Sequence, residues 1–359
     1  MSGGNRTIGS ATMLSRRTAL AGMAGVAAGV TLGSPAVLRA QPKQMTVPNS
    51  GGALEAAYKV AYFDTFTAKT GVQILGAPYM DTARVKAMVE NNAVDVDVLN
   101  IDATEAAVLA RLGLLEPIDY GIVDKSKLLP EAAKEHYLLA DVAAYVLAWS
   151  TRAVDADSRP KDWAEFFDPE GKPGQRSLWK LAPQTLEVAA MGGGQPRDKL
   201  YPIDLDLAFQ SLERIRDDLS WWNSGAQAAQ LLIDGEVDFG TCWNGRLYQP
   251  KLDGAPVDYT FDHALHVCDA MVVPKGAPNR ELAMQFLANM MDARNQATFA
   301  EHIPYGPVNQ EAFGLIGPER LALLPNSPDN SKTAVIQDFD YWAEHGEEIF
   351  ARFNQWLLG

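Results

Sequence analysis

Residues 234–274, DGEVDFGTCWNGRLYQPKLDGAPVDYTFDHALHVCDAMVVP, constrain the fold more than any other stretch. They hold two strand-like apolar runs, 237–243 and 264–273. Trp243 and Arg246, an aromatic and a cation, stand at the carboxyl end of the first run. The second carries Asp269 where a buried strand is normally apolar. Open α/β sheets bind ligands in the crevice beyond the carboxyl ends of their strands. A few polar groups on an apolar wall is the usual composition of a small-molecule pocket. Trp243, Arg246 and Asp269 are therefore the first candidates for a ligand site.

Strand and helix patterns alternate around this stretch, as an α/β fold requires. Residues 46–100 read strand, helix, strand, helix, strand. Leu54, Ala57, Tyr58, Ala61, Tyr62 and Phe66 recur at helical spacing, and Gly71 stops that helix. Val94, Val96 and Val98 alternate with Asp95 and Asp97, which predicts a half-exposed strand. Asn49-Ser50-Gly51-Gly52 opens the first helix. Backbone N–H groups there suit an acceptor group, or serve a plain cap and turn. The apolar run 143–150 leads into a second lobe. In that lobe, 178–181 reads as a strand and 184–191 as a helix with Glu187 in its first turn. Ser224 caps a helix over 225–233 that Gly235 stops. Helices over 281–290 and 293–302, a Pro-rich loop at 303–309 and an amphipathic C-terminal helix complete the chain.

The first forty residues read as an export signal. Ser15-Arg16-Arg17 precedes an uncharged Ala- and Gly-rich stretch over 18–38. Twin arginines before a weakly apolar segment predict the twin-arginine (Tat) route, with cleavage after Ala36 or, preferably, Ala40. The only cysteines are Cys242 and Cys268, so no lipid-bearing cysteine follows either cleavage point. The expected product is a free periplasmic protein without a membrane anchor. Its formal charge of −14 argues against nucleic acid and anionic membranes as partners.

Taken together, these stretches resemble the extracellular solute-binding proteins of ABC importers, in the spermidine/putrescine-binding group. FDTFTAKTGVQI resembles that family's opening helix and strand, and DVDVLNIDATEAAVLARLGLLEPID its third strand, helix and turn. PKDWAEFFDP, DGEVDFGTCWNGR, MVVPKGAPNRELAMQFLANMM and IPYGPVN follow in the family's order. The resemblance implies a two-lobed periplasmic binding protein fold of type II, two α/β lobes joined by a hinge with the ligand cleft between them. It implies a signal at 1–40, lobe 1 over 41–145 and 267–310, lobe 2 over 146–266, and C-terminal helices at 311–359 returning to lobe 2. Members carry solute to an inner-membrane permease and do no chemistry, so no cofactor and a monomer are expected.

Carried over by position, the resemblance puts the pocket tryptophan on Trp243 and the amine-binding aspartate on Asp269. It puts the second-lobe carboxylate on Glu187, the cleft tyrosine on Tyr305 and the helix-capping serine on Ser224. Ser50, Gly51 and Asp102 join the candidate lining. Three positions depart from the polyamine pattern: Val267 replaces an aromatic, Gln184 an acid, and Arg246 a small neutral residue. A guanidinium pairs with a carboxylate in bidentate fashion. The expected ligand is thus a short solute with an amine at one end and an acid at the other, of 4-aminobutyrate size, with putrescine and other polyamines close behind. Asp269 and Glu187 would pair the ammonium, with the Trp243 face beside it.

Two other readings stay open. His263, His266 and Cys268 give H-x-x-H-x-C, and with Cys242 as a fourth ligand would make a zinc site. A secreted enzyme is the other, although no G-x-S-x-G or H-E-x-x-H motif is present. Cys242 and Cys268 are also an even pair in an oxidising compartment, so either a disulfide or two buried thiols fits.

Overall fold

The apolar run Ala143–Ser150 forms a strand buried along its whole length, as a central strand covered on both faces must be. The computed structural model describes residues 43–359; the export signal expected at 1–40 lies outside the described residues. The strands in chain order are β1 Gln44–Asn49, β2 Gln73–Pro78, β3 Leu99–Asp102, β4 Tyr137–Leu139 and β5 Ala143–Ser150. They continue with β6 Arg176–Trp179, β7 Leu219–Trp222, β8 Phe239–Trp243, β9 Val257–Val267, β10 Asp269–Val272 and β11 Val335–Ile336.

β1 and β2 pair in parallel, and β10 lies antiparallel between β3 and β4. These strands share one core with Tyr58, Tyr62, Phe286 and Phe299 from the covering helices. The other strands make a mixed sheet in the order β11-β9-β5-β8-β6-β7. Its core is separate and holds Tyr145, Trp163, Phe166, Trp222 and Phe353. Each such side chain contributes roughly 1.5–3 kcal/mol on burial, enough for either core to cohere by itself.

The chain changes core in single steps. Val142 belongs to the first core and Ala143 to the second; Val267 belongs to the second and Cys268 to the first. The run 264–273 is therefore not one strand but two, in different sheets. At the break, the Cys268 carbonyl accepts the N–H of Ala103 at 3.0 Å. A polar Asp269 is tolerated because it begins a strand at the boundary between the cores.

The valine–aspartate alternation is a second difference. Residues 94–98 form an irregular segment, and β3 begins only at Leu99. Asp97 is buried, like Val96 and Val98. Its carboxylate accepts the Thr46 N–H at 3.0 Å and the backbone and side-chain N–H groups of Asn279 at 3.0 and 2.9 Å. It satisfies donors at the start of helix Arg280–Met290 that would otherwise be orphaned. The C-terminal helix Phe339–Leu357 gives Phe339 to the first core and Trp342, Ile349 and Phe353 to the second. Among the described residues no helix is long and apolar enough to cross a membrane.

Candidate ligand-binding cleft

The two crossings bring strand ends from both cores around one cavity of about 300 Å³. Ser50, Gly51, Tyr79, Asp102, Cys268 and Asp269 form the wall on the side of the first core. Trp179, Gln184, Trp243, Arg246 and Val267 form the wall on the side of the second. Tyr305 also lines the cavity and packs against both cores.

Trp243 ends β8, and its ring meets Trp179 and Trp222 edge-on, with centroids 5.1 and 5.2 Å apart. Its indole N–H donates to Gln184 Oε1 at 2.9 Å. The turn after it is pinned by Asn244, whose side chain accepts the Ala144 N–H at 2.9 Å and donates to the Pro304 carbonyl at 2.7 Å. Both glycines beside this turn are sterically required. A Cβ on Gly245 would fall 2.6 Å from Tyr305 Cε1, and one on Gly225 would fall 2.8 Å from Trp243 Cε3 and 2.9 Å from Arg246 Cγ. Arg246 is exposed, lies in the first turn of helix Asn244–Leu252, and takes part in none of the ion pairs among the described residues.

On the facing wall, Asp269 and Asp102 are directly opposite in the β3–β10 ladder. Like charges so placed repel. Burial first, and Asp102 next, push the Asp269 carboxyl from 3.8 to about 7, while Asn100 and Arg246 pull it down. Burial also raises Asp102, although its side chain accepts the Thr104 N–H at 2.8 Å as a helix cap. Next to it, Tyr79 donates its hydroxyl to Glu105. The Gly51 N–H is already occupied by Asn49 Oδ1 at 2.8 Å.

The cavity thus brings together Trp243, Arg246, Asp269, Tyr305, Ser50, Gly51 and Asp102. Glu187 and Ser224 are not part of its wall. Glu187 is fully buried, and its Oε1 accepts from Tyr201, Gln337 and Trp342. It anchors the C-terminal segment inside the second lobe and cannot meet a ligand in the cleft. The reason is a kink at the start of helix Ala182–Gly192: Pro183 is extended and Gln184 has φ 68° and ψ −44°. That turn delivers Gln184 to the cavity and Glu187 to the interior. Ser224 is exposed and caps helix Gly225–Asp234 by accepting the Gln227 N–H at 3.3 Å. Cys242 and Cys268 are buried, unpaired thiols, because each belongs to a different core. The zinc reading finds no support either. Among the described residues no three His, Cys, Asp or Glu side chains converge, and the His266 ring bonds the Pro325 carbonyl instead.

Trp179 and Tyr79 were missed by sequence reasoning, and Gln184 was reached only as a departure from the polyamine pattern. Trp179 ends β6, so the same strand-end rule that picks out Trp243 also reaches it. Periodicity alone does not aim Gln184 at the cavity, since its direction depends on the kink.

Two α/β bodies joined by short crossings around a small cavity of mixed polarity define a binding protein for a small solute. The model of the bacterial extracellular solute-binding protein family matches residues 61–318, and the chain belongs to that family. It is 34% identical to the gamma-aminobutyric acid-binding protein of Pseudomonas aeruginosa, over 89% of this chain and 93% of that one. Among solved structures it is similar to the Atu4243 GABA receptor, with a TM-score of 0.81 and 35% identity over 88% of this chain and 97% of that one. An ABC transporter substrate-binding protein from Bradyrhizobium japonicum USDA 110 gives a TM-score of 0.83 and 34% identity, covering 88% and 99% of the two chains. The fold is accordingly the two-lobed type.

Proposed function

We propose that the protein is a periplasmic receptor for a short ω-amino acid of 4-aminobutyrate size, which it delivers to an ABC importer. One observation carries this reading: the two walls of one cavity present opposite charge. Arg246, with no acid paired to it among the described residues, stands on the second-lobe wall, and Asp269 with Asp102 stands on the first. A zwitterion spanning the cleft satisfies both, its carboxylate on the guanidinium and its ammonium on Asp269. Trp179 and Trp243 pack its methylenes, and Ser50, Gly51 and Tyr305 complete the enclosure. Such a ligand pulls the lobes together, since each end is held by a different one. The names of the relatives, a gamma-aminobutyric acid-binding protein and a GABA receptor, agree with this reading. A diamine such as putrescine fits less well, because one ammonium would face Arg246.

The same reading assigns residues 1–40 to a twin-arginine signal and leaves a monomeric periplasmic protein without an anchor. Its lobes divide where the chain changes core, 41–142 with 268–310 and 143–267 with 311–359, three residues and one residue from the boundaries expected at 145 and 267. It performs no turnover.

Calorimetric titration of the ligand-stripped mature protein tests the assignment. The wild type is expected to bind 4-aminobutyrate more tightly than putrescine, spermidine or zinc. Arg246→Ala is expected to weaken 4-aminobutyrate by roughly 30-fold or more, as loss of a charged hydrogen-bond partner does, and to spare putrescine. Tighter wild-type binding of putrescine would overturn the zwitterion assignment.

A further inference from the structure

We infer that Gln184 reads the carboxylate end of the ligand, with its amide held in a single orientation by Trp243. The inference rests on the zwitterion reading and extends it to a second donor. Gln184 is only 2% exposed, yet it forms part of the cavity wall. Its backbone adopts φ 68°, a conformation that side chains other than glycine rarely take. Strain of this kind persists only where the surroundings over-determine it, and it clusters at ligand sites. Here the determinant is visible. The indole nitrogen of Trp243 is a donor only, so the Gln184 atom 2.9 Å from it must be the carbonyl oxygen. The amide nitrogen is then the remaining end, and it donates to no acceptor among the described residues.

The amide nitrogen is not among the buried side-chain atoms left without a partner, so it opens on the cavity, where it can donate to an acceptor on the ligand. A carboxylate supplies one; an ammonium has only donors and leaves the amide to water or facing a like donor. Gln184 meets the indole at its nitrogen, while the Arg246 stem packs beside the opposite edge of the ring, over Gly225. Both donors therefore flank Trp243 on the second-lobe wall, facing the acceptors Asp102 and Asp269 on the first. Selection for an acid at one end of the solute thus comes from two residues, one charged and one neutral.

The test compares wild type, Gln184→Glu and Gln184→Met in titrations with 4-aminobutyrate and putrescine. Glutamate keeps an oxygen for the Trp243 N–H and places a negative oxygen where the NH₂ stood; methionine removes both polar ends. Gln184→Glu is expected to weaken 4-aminobutyrate by roughly 10- to 100-fold and to leave putrescine unchanged or tighter, so that the preference inverts. Gln184→Met is expected to weaken 4-aminobutyrate by about tenfold. A residue that only maintained the fold would weaken both solutes alike, and that result would overturn the inference. So would undiminished 4-aminobutyrate binding by Gln184→Glu while Arg246→Ala still loses it, which would leave the zwitterion reading standing. Wild-type protein that binds putrescine and not 4-aminobutyrate would remove both together. Should the variants fail to fold, the wild type answers alone: the Gln184 side-chain NH₂ resonance is expected to move downfield with 4-aminobutyrate and not with putrescine, and a stationary resonance would overturn the inference.

Discussion

Replacing Asp269 by asparagine is expected to stabilise the ligand-free protein and to weaken capture. The carboxyl is held at about 7 against 3.8, chiefly by burial and then by Asp102. Below pH 3.8 the acid is protonated in both the folded and unfolded chain, and it makes no difference to stability. Between 3.8 and about 7 the unfolded chain releases the proton while the folded one retains it, so the unfolded state gains. Above about 7 the penalty is constant, and at ~1.36 kcal/mol per unit it reaches about 4 kcal/mol. Asparagine has no proton to lose and escapes it. The stability advantage of Asp269→Asn should therefore grow by about 3 kcal/mol between pH 5 and pH 8. Urea unfolding of both ligand-stripped proteins across that range measures it. At pH 8 the variant should also lose roughly 2–5 kcal/mol of affinity for 4-aminobutyrate, the cost of leaving an ammonium without its carboxylate. An advantage that is flat with pH, or a variant less stable at pH 8, would refute the reasoning.

Other consequences follow from neighbouring contacts. Glu187→Ala strands Tyr201, Gln337 and Trp342, and should lower stability by roughly 3–5 kcal/mol while the folded fraction still binds 4-aminobutyrate; thermal melts and calorimetry on the same sample separate the two. Gly225→Ala drives a methyl into Trp243 and Arg246 and should cost about 1–3 kcal/mol, shared between melting temperature and affinity; unchanged affinity would show that neither side chain rests on that helix. Alkylating the denatured, unreduced protein should add two adducts, whereas the native thiols react slowly, because burial pushes Cys242 up to about 12 and raises Cys268 as well. A mass without adducts would reinstate the disulfide.

The α/β class was legible in the chain because helical and strand periods are local, and the order of such patterns selects the architecture. The strand-end rule is equally local. It reached Trp243 at the end of β8 and Arg246 in the turn beyond it, and the break in apolar pattern at Asp269 marked the boundary between the cores. The helix-start reading reached Ser50 and Gly51 and the resemblance Tyr305, and these line the same cavity, as does Asp102. Where sequence reasoning failed, the deciding contacts were distant. The Asp97 carboxylate serves Thr46 and Asn279, so an apparent strand became a tether. The cysteines sit on two sides of a crossing that no spacing reveals, and so they stay apart. Glu187 and Gln184 share one helix, and periodicity cannot say which of them meets the cleft. That choice falls to a strained backbone turn whose side chain is bonded to an indole 59 residues further along the chain. The elements and their order were thus determined by the sequence alone, since each residue's preference acts on its near neighbours. The facing of side chains across the cleft was decided by tertiary structure, because it depends on partners that only folding brings within hydrogen-bonding distance.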